Sequence, residues 1–251
     1  MKIKQFIANS KNYGSKRDTK NIKYIVIHYT GNDGDSDEGN SKYFKNNILK
    51  ASAHYFVDND SITQSVPDNY IAYSVGGAKY TNCASTGGGK YYNKCTNTNS
   101  ISIELCDSLK NGKVYPTKNT IENALELVKD LMKKYNVPAS KVIRHFDVNG
   151  KGCPGYWCGS DTKNKKWKTE FHDKLTEKKE TTTKKDTSYK VKVTADVLKI
   201  RKGAGTDYGT NGSVKKGEVY TIVDDKYNGK TKWGKLKNGR GWISLSYTKK
   251  I

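Results

Sequence analysis

Residues 174–188, KLTEKKETTTKKDTS, contain one apolar side chain, Leu175, and no aromatic one. Threonine and charge at this density bury too little surface to offset the entropy of ordering a chain, so the stretch predicts a linker. The 251 residues then divide into residues 1–173 and residues 189–251, and each piece must build its own core. The second piece carries 15 basic and 5 acidic side chains, close to half of the net charge of +21. That balance asks for an acidic partner, such as nucleic acid, anionic lipid or an anionic wall polymer. No run reaches the roughly 18–20 apolar residues that a membrane-spanning helix needs, so membrane insertion is not expected. The opening MKIKQFIANS has too short an apolar stretch for a secretory signal, which predicts synthesis in the cytoplasm without export by that route. Five cysteines cannot all pair, and a cytoplasmic origin favours reduced thiols or a metal site.

The first piece alternates between strand and helix patterns. Tyr24–His28 is a continuous apolar run ending on a polar residue, which fits a strand covered on both faces. Residues 36–50 predict a helix with Tyr43, Phe44, Asn47 and Ile48 near one stripe. Residues 53–58 predict a second strand. Residues 100–105, SISIEL, alternate strictly, so Ile101, Ile103 and Leu105 take one face while Ser102 and Glu104 take the other. Residues 119–136 repeat Ile121, Ala124, Leu125, Val128 and Leu131 at helical spacing, with Asn119 and Glu122 set as a capping box. The order predicts an α/β unit with a mixed sheet flanked by helices. Residues 78–99 form a long loop rich in glycine and asparagine, of the kind that is usually functional. The second piece has short Val- and Tyr-rich runs between glycine-containing turns, at Lys202-Gly203, Asn211-Gly212, Lys216-Gly217, Asn228-Gly229 and Asn238-Gly239. This pattern predicts a small all-β barrel.

Four histidines are present. His28 ends the first buried run, and His145 precedes Cys153 by eight residues. Two imidazoles and a thiolate are a reasonable zinc set, and three protein ligands would leave the fourth position to water. The plainer alternative is two satisfied core histidines and a buried thiol. Glu104 ends an alternating strand. There it either serves a cleft as a proton acceptor beside a metal or is a solvated strand-end charge. Lys151 either stabilises an oxyanion or is one of many surface lysines. His172 lies beside the linker and reads as a surface residue.

Four motifs occur in order: His28 in Tyr-Ile-Val-Ile-His-Tyr-Thr, Ser52-Ala53-His54-Tyr55, Asn99–Glu104, and Arg144-His145 with Lys151-x-Cys153-Pro154. Together, over residues 20–160, they resemble the type 2 N-acetylmuramoyl-L-alanine amidases, relatives of the peptidoglycan recognition proteins. The resemblance implies one zinc ion held by His28, His145 and Cys153. It implies hydrolysis of the amide between the lactyl group of muramic acid and L-alanine, with Glu104 as acid/base and Lys151 facing the transition state. Some relatives carry a tyrosine in the second strand as catalytic partner. Here the matching stretch is Ser52-Ala53-His54-Tyr55, as in the branch that uses a strand glutamate, and His54 is expected as a substrate or oxyanion contact rather than as a further ligand.

The second piece resembles bacterial SH3 domains through Val197–Gly203, Lys216–Val219, Trp233–Leu236 and Gly239–Ile243, with Lys202 and Ala204 departing from the usual pattern. Such modules bind peptidoglycan, which makes Tyr208, Tyr227, Trp233 and Tyr247 candidates for a wall-binding groove, with Trp242 in the core. The division expected is therefore a zinc amidase domain at 1–173, a linker at 174–188 and a wall-binding domain at 189–251. A catalytic domain, a linker and a wall module without a leader match a phage or prophage endolysin. Such an enzyme is made in the host cytoplasm and acts on peptidoglycan and anionic wall polymers after release. A host autolysin and a non-catalytic peptidoglycan binder are the alternatives, although Glu104, Lys151 and Cys153 all being present speaks against the binder. No nucleic-acid motif accompanies the charge. Cys83 and Cys95 share the long loop and could pair outside the cell, while Cys106 and Cys158 carry no assignment.

Overall fold

The computed structural model describes residues 3–177 and 188–251. Most of the expected linker, residues 178–187, lies outside the described residues. The chain divides into two compact units, one through Glu177 and one from Lys178.

The first unit contains strands β1 (Ile3–Gln5), β2 (Tyr13–Lys16), β3 (Tyr24–Tyr29), β4 (Tyr55–Val57), β5 (Ile62–Gln64), β6 (Tyr70–Ala72), β7 (Ser100–Leu105) and β8 (Val142–Arg144). Its helices are α1 (Asp37–Asn46), α2 (Lys118–Tyr135), α3 (His145–Asn149) and α4 (Asp161–Trp167). Six strands form a mixed sheet in the order β1-β5-β4-β7-β3-β8, and β2 pairs with β6 apart from it. Strands β4, β7, β3 and β8 run parallel, and β5 is antiparallel to β4.

The alternation in β7 decides what each face does. Ile101, Ile103 and Leu105 are buried with Ile25 and Ile27 of β3 in one large core. That core is closed by Ile121, Ala124, Leu125, Val128 and Leu131 of α2, and by Trp157, Trp167 and Phe171. Burying a side chain of this size stabilises by ~1.5–3 kcal/mol, so this face anchors the unit. Leu175 belongs to the same core, so the chain stays packed two residues into the span expected as linker. The opposite face carries His28, Ser102 and Glu104.

Three local expectations differ from the structure. α2 starts at Lys118, and its N-cap is Thr117, whose side chain accepts from the Thr120 N–H. Asn119 is already inside the helix, and Glu122 pairs with Lys118 at 3.7 Å instead of closing a capping box. α1 ends at Asn46, short of residue 50, so Ile48 lies exposed beyond it; the helix turns Tyr43 to solvent and buries Ser41, with Phe44 partly buried against Phe56. His172 is half-buried, with its Nε2 3.0 Å from the Ala139 carbonyl.

The second unit contains β9 (Tyr189–Val193), β10 (Val197–Arg201), β11 (Thr210–Lys215), β12 (Val219–Asn228), β13 (Thr231–Leu236), β14 (Trp242–Ser244) and β15 (Thr248–Lys250). Every pairing among them is antiparallel, in the order β11-β10-β14-β13-β12-β9-β15. Val191, Val193, Leu198, Ile200, Val214, Ile222, Leu236 and Ile243 make its core. This is the all-β, SH3-like unit that the sequence predicts. Asn211-Gly212 is not a turn: Gly212, at φ 90°, lies within β11, opposite a register shift in β10. Among the described residues no helix is long and apolar enough to cross a membrane.

A candidate active site at the carboxyl edge of the sheet

Three neighbouring parallel strands end together. β7 and β3 pair in register so that Glu104 lies opposite His28, and the residue after β8 is His145. The carboxyl edge of parallel strands is where open α/β sheets collect their ligand-binding loops. The turn after α3 returns Cys153 to this edge, with its carbonyl accepting from the Phe146 N–H at 2.9 Å.

His28, His145 and Cys153 each present a donor atom, and these atoms lie within 4.8 Å of one another. Cys153 Sγ is 3.8 Å from His28 Nδ1, and the two imidazole rings meet edge-on at 4.7 Å. All three residues are buried. His28 Nε2 and both ring nitrogens of His145 have no hydrogen-bond partner. An unmet buried polar atom costs ~1–3 kcal/mol, so unmet nitrogens on two adjoining rings mark a place built to engage something else. Burial, then the neighbouring His145 and Lys151, holds His28 well below the usual imidazole range. Burial and Lys151 bring His145 to about 4. Both rings are therefore neutral near pH 7, with lone pairs to give. Burial and the Glu104 carboxylate push the Cys153 thiol up, a balance that a bound cation reverses. Two neutral imidazoles and a thiol, buried and converging, fit a zinc-type metal ion.

Glu104 Oε1 stands 4.0 Å from His28 Nδ1, and Oε2 is buried without a partner. Burial raises this carboxyl to about 7, against the opposing charge of Lys151. It is thus poised between its acid and base forms near neutral pH. Lys151 is set by Asn149, which is almost fully buried. The Asn149 Oδ1 accepts from the Lys151 N–H at 3.1 Å, and its amide nitrogen reaches the Gly76 carbonyl at 3.4 Å. Lys151, His145 and Asn149 line an open cleft of about 680 Å³ together with Lys50, Tyr73 and Asn97.

The structure does not bring His54 into this group. It is wholly buried, and its Nδ1 accepts from the Ser102 N–H at 3.0 Å. Its proton is therefore on Nε2, 3.2 Å from the Tyr70 carbonyl and 2.9 Å from the Arg17 guanidinium. Burial, with Arg17 beside it, lowers the ring to about 3. Neither nitrogen has a lone pair free for substrate or metal, so the expected substrate or oxyanion contact is replaced by a structural role.

The family model described as N-acetylmuramoyl-L-alanine amidase matches residues 18–156 of this chain, a span that holds the whole site. The chain belongs to this amidase family. The amidase CwlL of Bacillus licheniformis is 33% identical over 188 residues, which cover 73% of this chain and 49% of CwlL. The amidase BlyA of Bacillus subtilis (strain 168) is 29% identical over 240 residues, 88% of this chain and 64% of BlyA. The chain thus spans about half of CwlL and under two thirds of BlyA. Among solved structures, PlyL superposes with a TM-score of 0.53 at 27% identity, over 70% of this chain and 97% of PlyL. The PlyG catalytic domain gives 0.52 at 28% identity, over 70% of this chain and 93% of that domain.

Sequence reasoning about the amidase unit missed Arg17. Its guanidinium donates to the carbonyls of Asp68, Asn97 and Ser100 at 3.0, 3.1 and 2.8 Å, tying three segments together behind the cleft wall. Nothing marks one basic residue among 46 for that task. All five cysteines are free and buried. Cys83 packs with Phe146 and Cys158, while Cys95 packs with Tyr24 and Val26, so the pairing considered for the loop is not formed. In the second unit the four groove candidates separate. Tyr227 and Tyr247 are 69% and 54% exposed, whereas Tyr208 and Trp233 are buried. Trp233 packs with Trp242 and Ala204, so it serves the core rather than an open groove.

Proposed function

We propose that this chain is a zinc-dependent N-acetylmuramoyl-L-alanine amidase of the endolysin type. It cleaves the amide between the lactyl group of muramic acid and L-alanine in bacterial peptidoglycan, and so lyses the cell. The observation that carries this reading is the buried His28–His145–Cys153 group with Glu104 4.0 Å from His28, inside the span of the family match. His28, His145 and Cys153 would hold the zinc, which when bound supplies a Lewis acid for the carbonyl and acidifies the attacking water. Glu104 takes the proton of that water and passes it to the departing L-alanine nitrogen, since an amide anion is a poor leaving group. Lys151 faces the charge that develops on the carbonyl oxygen. Residues 1–173 carry catalysis. Residues 189–251 bind the wall and hold the enzyme near its substrate, which raises the local concentration of cleavable bonds. The exposed Tyr227 and Tyr247 are the wall-contact candidates that remain, and the basic charge of this piece adds attraction to anionic wall polymers.

End-group analysis of digested peptidoglycan tests the reaction. New L-alanine amines that vanish with a chelator are expected. New reducing sugar ends, or new amines other than that of L-alanine, would contradict it.

A further inference from the structure

Lys50 and Lys79 also line the cleft that opens on His145 and Lys151, and no carboxylate does. Some exposed lysines of this unit find acids: Lys42 pairs with Glu38, Lys118 with Glu122, Lys134 with Asp68 and Lys168 with Asp173. Lys50 and Lys79 reach no carboxylate among the described residues. Their placement is also constrained by the backbone. Lys50 holds a left-handed φ of 51°, unusual for a residue with a side chain. The fully buried Asn12 imposes it. Its amide nitrogen donates to the carbonyls of Phe44 and Asn47 at 2.7 Å each, and its Oδ1 accepts from the Leu49 and Lys50 N–H groups at 2.6 and 3.0 Å. Lys79 crosses Gly89, where a Cβ would come within 2.5 Å of the lysine Cε. Gly89 holds a φ of 73°, a conformation that favours glycine, and its N–H is tied to the Phe146 carbonyl at 3.0 Å.

We infer that Lys50 and Lys79 are specificity-determining residues that select muramoyl peptides with free carboxylates over the same peptides with carboxamides. The inference rests on the amidase reading and takes this cleft, which opens beside His145 and Lys151, to hold the peptide beyond L-alanine. A carboxamide has nearly the shape of a carboxylate but lacks its charge, so two unpaired ammonium groups distinguish the pair where shape does not. Both lysines stand apart from the reacting bond and act alike on the bound substrate and the transition state. The preference therefore appears in KM more than in kcat.

The full chain is assayed by release of the L-alanine amine from two synthetic muramoyl peptides. They differ only in whether the residue after L-alanine carries a carboxylate or a carboxamide. The carboxylate substrate is expected to show kcat/KM roughly five- to thirty-fold higher, mostly through KM. That ratio shrinks as sodium chloride rises from about 0.05 to 0.5 M. The double variant Lys50→Gln, Lys79→Gln brings the ratio to about two or less, while Lys50→Arg, Lys79→Arg keeps most of it. Thermal unfolding of each variant confirms that the fold is retained. Equal kcat/KM for the two substrates in the unaltered chain, or a preference that survives the double glutamine variant, overturns the inference and leaves the amidase reading standing. Release of no L-alanine amine from either substrate overturns both.

Discussion

His28 and His54 lie on the same face of one sheet, at the level of Glu104 and Ser102 of the intervening strand β7. Both are buried, and burial lowers the pKa of both. They differ in what their ring atoms meet. Each nitrogen of His54 has a partner, namely the Ser102 N–H on one side and the Tyr70 carbonyl on the other. Two residues further along the strands, His28 Nε2, both nitrogens of His145 and Glu104 Oε2 have none. A saturated buried histidine holds a fold together. An unsaturated one among other unsaturated donors is kept for a ligand, because the fold pays for it with no return of its own.

The largest effect that sharpens this contrast belongs to Glu104. Glu104→Gln keeps size and hydrogen bonding but removes the base, and turnover should fall roughly 10²–10⁴-fold with metal content and thermal stability almost unchanged. Retention of more than a few per cent of turnover would remove Glu104 from that role. Lys151→Ala should cost less, on the order of 10–100-fold, because the metal would share the oxyanion charge. Steady-state kinetics on a soluble muramoyl peptide measures both.

The second unit offers the same contrast between buried and exposed groups. Trp233→Ala should lower its melting temperature by several degrees or unfold it, since it removes a buried ring from the Ala204–Trp242 contact. Tyr227→Ala or Tyr247→Ala should leave stability nearly unchanged and weaken sedimentation with cell walls by about two- to tenfold, as loss of an exposed aromatic contact would. Wall binding that is indifferent to both tyrosines would place the contact surface elsewhere on this unit.

The smallest effect concerns acid. The folded pKa of His54, about 3, lies below its unfolded value near 6.5. Between those values the unfolded chain binds a proton that the folded chain refuses, so stability falls as pH drops through this window. His54→Asn should be less stable than the unaltered chain at pH 7 but lose less melting temperature between pH 6.5 and 4.5. An equal loss in both, measured by thermal unfolding in chelator, would mean that His54 is not a source of the acid sensitivity.

Much of this arrangement was legible in the sequence where one side chain follows from a period. The alternation in SISIEL puts Ile101 and Ile103 opposite Glu104, and the apolar repeat of 119–136 finds its helix to within a residue. The ordered motifs bring His28, His145 and Cys153 together although 125 residues separate the first from the last. What stayed hidden depends on contacts between segments with no period of their own. His54 looked like an active-site residue because no local pattern reveals that Arg17 and Tyr70 cover it. The α2 cap moved from Asn119 to Thr117 because several capping residues stand in succession there, and packing chooses among them. Tyr208 and Trp233 read as groove aromatics, since an aromatic in a short β unit suits core and surface equally.

The measurement that bears most directly on the contrast is metal content, taken side by side in the unaltered chain, His28→Ala and His54→Ala after dialysis against trace zinc. The unaltered chain and the folded fraction of His54→Ala should each hold about one zinc per chain, and His28→Ala close to none, because a three-ligand site loses affinity steeply with any ligand. Full zinc in His28→Ala, or zinc lost from folded His54→Ala, would contradict the account.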